Sequence, residues 1–155
     1  MTPQEFLKSS AYRTLQSEHL LRTLGLLLEE GMEFALAAEL RYVEFDPPLP
    51  SELFEAFPDV TLFALAGYTL ESARILQDEA SSPRLIFEAG FGAENLGSVV
   101  SMPLLAIRQI FLGDLPLLVN MAKPEEQKAP PDPERSMEAL LSRPENLKLI
   151  KKKNK

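Results

Sequence analysis

Cysteine is absent from these 155 residues, so neither a disulfide nor a thiolate metal site can hold the fold together. Histidine occurs once, at His19. Nucleophilic and acid–base sites bring several reactive groups together, and one histidine without any cysteine leaves little to build one from. His19 stands among Ser17, Glu18 and Leu20 on a helical stretch and reads as a solvated helix-face residue, so neither zinc nor any other cofactor is expected. Long apolar runs are missing too: residues 20–28 are interrupted by Arg22 and Thr23 and closed by Glu29 and Glu30, which reads as an amphipathic helix rather than a bilayer span. No charged lead followed by an apolar stretch marks a targeting signal, and the expectation is a cytoplasmic protein that does not engage a membrane.

Positive charge is scarce where a core can form. Up to Ala122 there are 7 basic and 17 acidic residues, a balance of −10, whereas the remainder carries 9 basic and 6 acidic residues, a balance of +3. An acidic body repels phosphate backbones, which argues against nucleic-acid binding. The glycines Gly90, Gly92 and Gly97 match neither a dinucleotide fingerprint nor a phosphate loop, because the spacing is wrong and no Gly-Lys-Ser/Thr follows; a hairpin turn with bulges is the plain reading. Glu29 with Glu30 and Glu125 with Glu126 are solvated pairs. A carboxylate site for hydrolysis would need distant residues to meet, so an enzyme is not expected.

The chain divides into residues 1–122 as one domain, 123–146 as a flexible linker and 147–155 as a terminal peptide. Pro124, Pro130, Pro131, Pro133 and Pro144 punctuate an acidic run that buries too little apolar surface to offset the entropy of ordering, so the linker and tail are expected to be disordered. The chain closes on Leu147, Lys148, Leu149, Ile150 and Lys151, an apolar and basic element followed by more lysines. Such a peptide on a soft tether suits docking to a second protein.

Within the body, Thr2-Pro3-Gln4-Glu5 is a helix start, and a long N-terminal helix ends at Gly31. Leu7, Ala11 and Leu15, then Leu20, Leu24, Leu27 and Leu28, form its apolar stripes. Alternation over 34–42 predicts a strand with one wet side, Asp46-Pro47-Pro48 breaks it, and Pro50-Ser51-Glu52 opens a short helix burying Leu53, Phe54 and Phe57. Strands are expected over 60–66 and 72–76, a turn cluster over 78–83, and further strands over 85–91 and around Val99 and Val100. Pro103 is read as starting a helix with Ala106, Ile107, Ile110 and Phe111 on its packed face, and 115–121 as an edge strand that Pro116 restricts. The fold class expected is mainly β with an N-terminal α-helix.

The stretch Phe87-Glu88-Ala89-Gly90-Phe91-Gly92, a short turn, then Val99-Val100-Ser101-Met102-Pro103-Leu104-Leu105-Ala106-Ile107 and Ile110-Phe111 resembles the SspB (stringent starvation protein B) family of ClpXP protease adaptors. Phe57-Pro58-Asp59 before Val60-Thr61-Leu62 is similar to its alphaproteobacterial branch. At the other end, the order of Leu147, Lys148, Leu149, Ile150 and Lys151 resembles the peptide by which such adaptors dock on the unfoldase ClpX. The resemblance implies a small open Sm-like β-barrel, a homodimer through the N-terminal helix, and a groove for ssrA-like tagged polypeptides, with Phe63, Leu65, Phe87, Ala89 and Phe91 as groove candidates. Gly90 and Glu88 depart from the family pattern, which leaves both the standard ssrA tag, with its acidic residues, and a different tag as expectations. The alternative is a non-proteolytic peptide-binding or assembly module whose basic tail contacts an anionic surface; a small barrel hydrolase is the third reading.

Overall fold

The computed structural model describes residues 1–78 and 81–124; the linker beyond Pro124 and the terminal peptide lie outside the described residues. Met1–Pro124 forms a compact unit.

The N-terminal helix is two helices. The capping box is present as the sequence requires: Glu5 N–H donates to Thr2 Oγ1 at 3.1 Å and Thr2 N–H to Glu5 Oε1 at 2.9 Å, opening helix α1 (Pro3–Leu7). A second cap follows at once, Ser9, whose hydroxyl accepts from Tyr12 N–H at 3.2 Å and starts helix α2 (Ser10–Glu30). Gly31, at φ +65°, closes α2, and Met32 N–H reaches back to the Leu27 carbonyl at 3.0 Å. Leu20, Leu24 and Leu27 are buried by α2, whereas Ala11 and Leu15 of the expected first stripe are exposed.

Strands β1 (Phe34–Glu39), β2 (Glu44–Asp46), β3 (Val60–Leu65), β4 (Arg74–Asp78), β5 (Ser81–Phe91), β6 (Leu96–Pro103), β7 (Ile107–Leu112) and β8 (Leu115–Val119) build two antiparallel four-stranded sheets. One runs β3-β1-β7-β8 and the other β2-β6-β5-β4. Two short helices, α3 (Ser51–Glu55) and α4 (Gly67–Ser72), connect strands. The expected mainly-β architecture with a helical N-terminus is therefore present, arranged as two sheets with no closed barrel among the described residues. Phe34, Leu36, Phe63 and Leu65 from the first sheet and Leu85, Phe87, Val100 and Met102 from the second fill one core, which α2 covers. At about 25 cal/mol per Å² of apolar surface removed from water, this burial dominates stability.

Several sequence expectations are corrected. Alternation through Tyr42 overstates β1, which ends at Glu39 and gives way to a 3-10 turn, Leu40–Tyr42. Ser72 belongs to α4, which the reading of 72–76 as strand missed, because Gly67 at φ +57° lets the chain turn into a helix straight after β3. The largest error is the helix after Pro103: a 3-10 turn, Leu104–Ala106, leads instead into β7. A bulge explains the helical look of that segment. Ile107 faces Ala38 and Ile110 faces Leu36, so four residues of β7 oppose three of β1, and apolar side chains three apart both point inward. The edge strand at the end is as expected, with β8 paired among the described residues only to β7, through a turn at Gly113-Asp114.

Beyond β8 the chain is tied down by buried polar groups. Asn120, 2% exposed, donates through Nδ2 to the carbonyls of Ile107 (2.9 Å), Ala122 (2.9 Å) and Leu105 (3.3 Å), while its Oδ1 accepts from Ala122 N–H (2.8 Å) and Gln16 Nε2 (3.2 Å). Arg108, the bulge residue, donates to the same carbonyls of Leu105 and Ala122. Its guanidinium lies beside Glu39, with Nε to Oε1 at 3.9 Å, and burial lowers its pKa against the opposing pull of Glu39.

Candidate functional site: a cleft beside an open strand edge

The hairpin of β5 and β6 pairs in unbroken register from Arg84↔Pro103 to Phe91↔Leu96. Its four-residue turn uses Gly92 at φ +78° and Asn95 at φ 54°, with Asn95 N–H on the Gly92 carbonyl at 3.0 Å. The glycine reading as a hairpin is therefore right, without the expected bulges. Gly90 and Gly97 face each other across the two strands. A Cβ on Gly90 would fall inside the side-chain amide of Asn95, so a larger residue there requires that amide to swing away.

Over the outer side of this hairpin lies a cleft of about 560 Å³. Glu88, Gly90, Gly97 and Val99 contribute from the hairpin, Tyr68 and Thr69 from α4, and Asp46 and Pro47 from the end of β2. The Asp46–Pro47 peptide is cis, and the Pro47 carbonyl accepts from the buried Ser98 hydroxyl at 2.9 Å. Tyr68 is held across the opposite wall, its hydroxyl donating to Glu88 Oε1 at 2.6 Å. That bond to a carboxylate, reinforced by the negative charge of Glu88, raises the Tyr68 pKa.

One edge of β5 is open along the cleft. Strand β4 pairs with it only as far as Arg74↔Ile86, and the next backbone group on that edge, Glu88 N–H, donates instead to the Ser72 hydroxyl at 2.9 Å. Backbone groups alternate from edge to edge, so Gly90 presents its N–H and C=O on the same side as Glu88, with no strand beside it among the described residues. An extended peptide laid there would add a strand by backbone hydrogen bonding.

The structure divides the groove candidates. Phe63, Leu65 and Phe87 are 4%, 0% and 1% exposed and belong to the core, so their side chains offer a ligand no surface. Phe63 stacks edge-on against Phe87 at 5.9 Å, and Phe91 is half-buried in an aromatic cluster with Phe45 (5.6 Å), Phe57 (6.0 Å) and Phe63 (6.4 Å). The physical reason is strand alternation: the side chains of 87, 89 and 91 share the inner face, and of the five candidates only Ala89 is among the residues lining the cleft. Leu147, Lys148, Leu149, Ile150 and Lys151 lie outside the described residues. Sequence reading missed Asp46, Pro47 and Asn95, which sit in a breaker and a turn, and Tyr68 and Thr69, which sit in the six-residue helix α4, too short for a periodic signal. His19 is exposed on α2.

Among the described residues, no three or more of His, Asp and Glu are grouped to hold a metal ion, and no helix is long and apolar enough to cross a membrane. Comparisons with protein-family models, with curated proteins and with solved structures find no match for this chain.

Proposed function

We propose that the body binds an extended polypeptide segment in the cleft beside β5 and delivers it to a ClpX-type unfoldase through the C-terminal peptide, as an adaptor of the SspB kind. The observation that carries this reading is the open edge of β5 at Gly90, backed by a cleft with room for a peptide. Support from the sequence comes from the Phe87-to-Phe111 resemblance and from the order of Leu147, Lys148, Leu149, Ile150 and Lys151.

No covalent step is required. The body holds the substrate, the terminal peptide holds the unfoldase, and the linker turns delivery into an intramolecular encounter. A flexible chain of two dozen residues spans roughly 25–30 Å. Effective concentrations near the millimolar range then follow, enough for avidity gains of about 10²–10⁴.

A homodimer through the N-terminal helix, an Sm-like outline for the two sheets and a cytoplasmic setting belong to the same proposal. For the dimer, Leu15, His19, Arg22 and Leu26 are all exposed on α2 at intervals of four, three and four residues. Leu15 and Leu26 are 58% and 59% exposed, apolar surface that a partner helix would cover.

The test is a pull-down of ClpX and of tagged polypeptide by the full chain and by a chain ending at residue 146. The shortened chain is expected to lose ClpX and keep the polypeptide. Undiminished delivery by the shortened chain would overturn the tethered mechanism. Binding that falls steeply with salt but ignores Leu147→Ala and Ile150→Ala would favour the non-proteolytic module instead.

A further inference from the structure

Among the described residues, the charged side chains lining the cleft are two carboxylates, Asp46 on one wall and Glu88 on the other. Glu88 Oε1 is engaged by the Tyr68 hydroxyl at 2.6 Å, which fixes the carboxylate and leaves Oε2 without a partner among the described residues; Asp46 likewise has none. Of the two cations on the strands of this sheet, Arg84 lies 3.5 Å from Glu44 and Arg74 donates to the neutral Ser72 carbonyl at 3.2 Å, and neither lines the cleft. Glu71 on α4 adds to the negative potential felt at Tyr68.

We infer that the cleft selects an extended peptide bearing a lysine or arginine side chain, and rejects an acidic one. This rests on the peptide-binding reading and names the ligand class for it. A strand added along the edge at Gly90 places alternate side chains on the outer face, where Glu88 and Asp46 stand. A cationic side chain there meets the Glu88 carboxylate directly, while Asp46, on β2 two strands beyond β5, adds its negative field from the far wall of the cleft. An acidic side chain at that place meets the like charge of Glu88 directly and of Asp46 across the cleft, with no cation among the described lining residues to offset it. Partly exposed pairs are individually weak, and attraction gained in one peptide adds to repulsion avoided in the other. About a tenfold difference between lysine and glutamate peptides is therefore expected at low salt, shrinking as salt rises.

The test uses the full chain and three fluorescent ten-residue peptides, identical except for two same-face central positions carrying lysine, alanine or glutamate. Affinity is read by anisotropy, and occupancy of the cleft by the NMR shifts of the Gly90 and Gly97 amides, which separate cleft binding from contact with the lysine-rich terminus. Support is a lysine peptide bound about tenfold tighter than the glutamate peptide while moving the Gly90 amide, with the ratio falling severalfold in E88Q and in D46N. Equal affinities, or tighter glutamate binding, with the Gly90 amide still moving would overturn the charge selection and leave peptide binding standing. No shift at Gly90 with any peptide would overturn both.

Discussion

Asn120 shows how one side chain can hold a chain end in place. Its amide satisfies three carbonyls and accepts two donors in an interior site, so truncation leaves several polar groups stranded at once. Asn120→Ala is expected to cost about 3 kcal/mol, read from the shift in urea midpoint. Asn120→Asp should cost at least as much, because a carboxylate would face the same carbonyls without hydrogens to offer. Tyr68 supplies a residue-scale pH prediction. Its bond to Glu88 favours the neutral phenol, so the folded value lies above the ordinary one; the contribution is complete below about pH 10 and lost as pH rises through the raised value. Absorbance titration of the folded protein should therefore place one tyrosine above its unfolded counterpart, and Glu88→Ala should remove most of the difference, leaving the smaller effects of burial and Glu71. Asn120 was not singled out from sequence, since a lone Asn after an edge strand looks like any loop residue until its five partners converge.

The most informative element is β7. Ile110 is fully buried, pairing with Leu36 and Leu118, so Ile110→Ala is expected to cost about 2–5 kcal/mol. Leu115, 69% exposed at the start of the edge strand, should cost less than about 0.5 kcal/mol when changed to Ala, measured in the same denaturant series. Both the strand and the helix that spacing predicted bury Ile110; Arg108 separates them, because on an amphipathic helix ending near Phe111 it would face solvent rather than clamp the carbonyls of Leu105 and Ala122. Helices α1 and α2 were legible because caps are local chemistry. The break at Ser9 was not, because two caps in quick succession still read as one helical pattern.

At the scale of the whole molecule, every core residue among those described lies between Leu20 and Ala122. Removing residues 147–155 should accordingly leave the thermal midpoint of the body within about 2 °C of the full chain, measured by circular dichroism. A larger fall would mean that the terminal peptide contributes to the stability of the fold. The acidic body and basic end also bear on partners: −10 against +3 makes a single net charge a poor guide to what either part binds.

Composition and local pattern by themselves determined the absence of cysteine chemistry, the helical start, the alternation that makes a mainly-β body, the Gly-rich hairpin and the change of character after Ala122. These are properties of neighbouring residues, and caps, periods and turns act over a few positions. Tertiary structure alone decided that Phe63, Leu65 and Phe87 serve the core, that a bulge turns an apparent helix into β7, and that Asp46, Tyr68 and Glu88 meet around one cleft. Those outcomes depend on which strand lies beside which. Register and bulges are chosen by the best burial of the whole set of side chains, so no short stretch of sequence contains them.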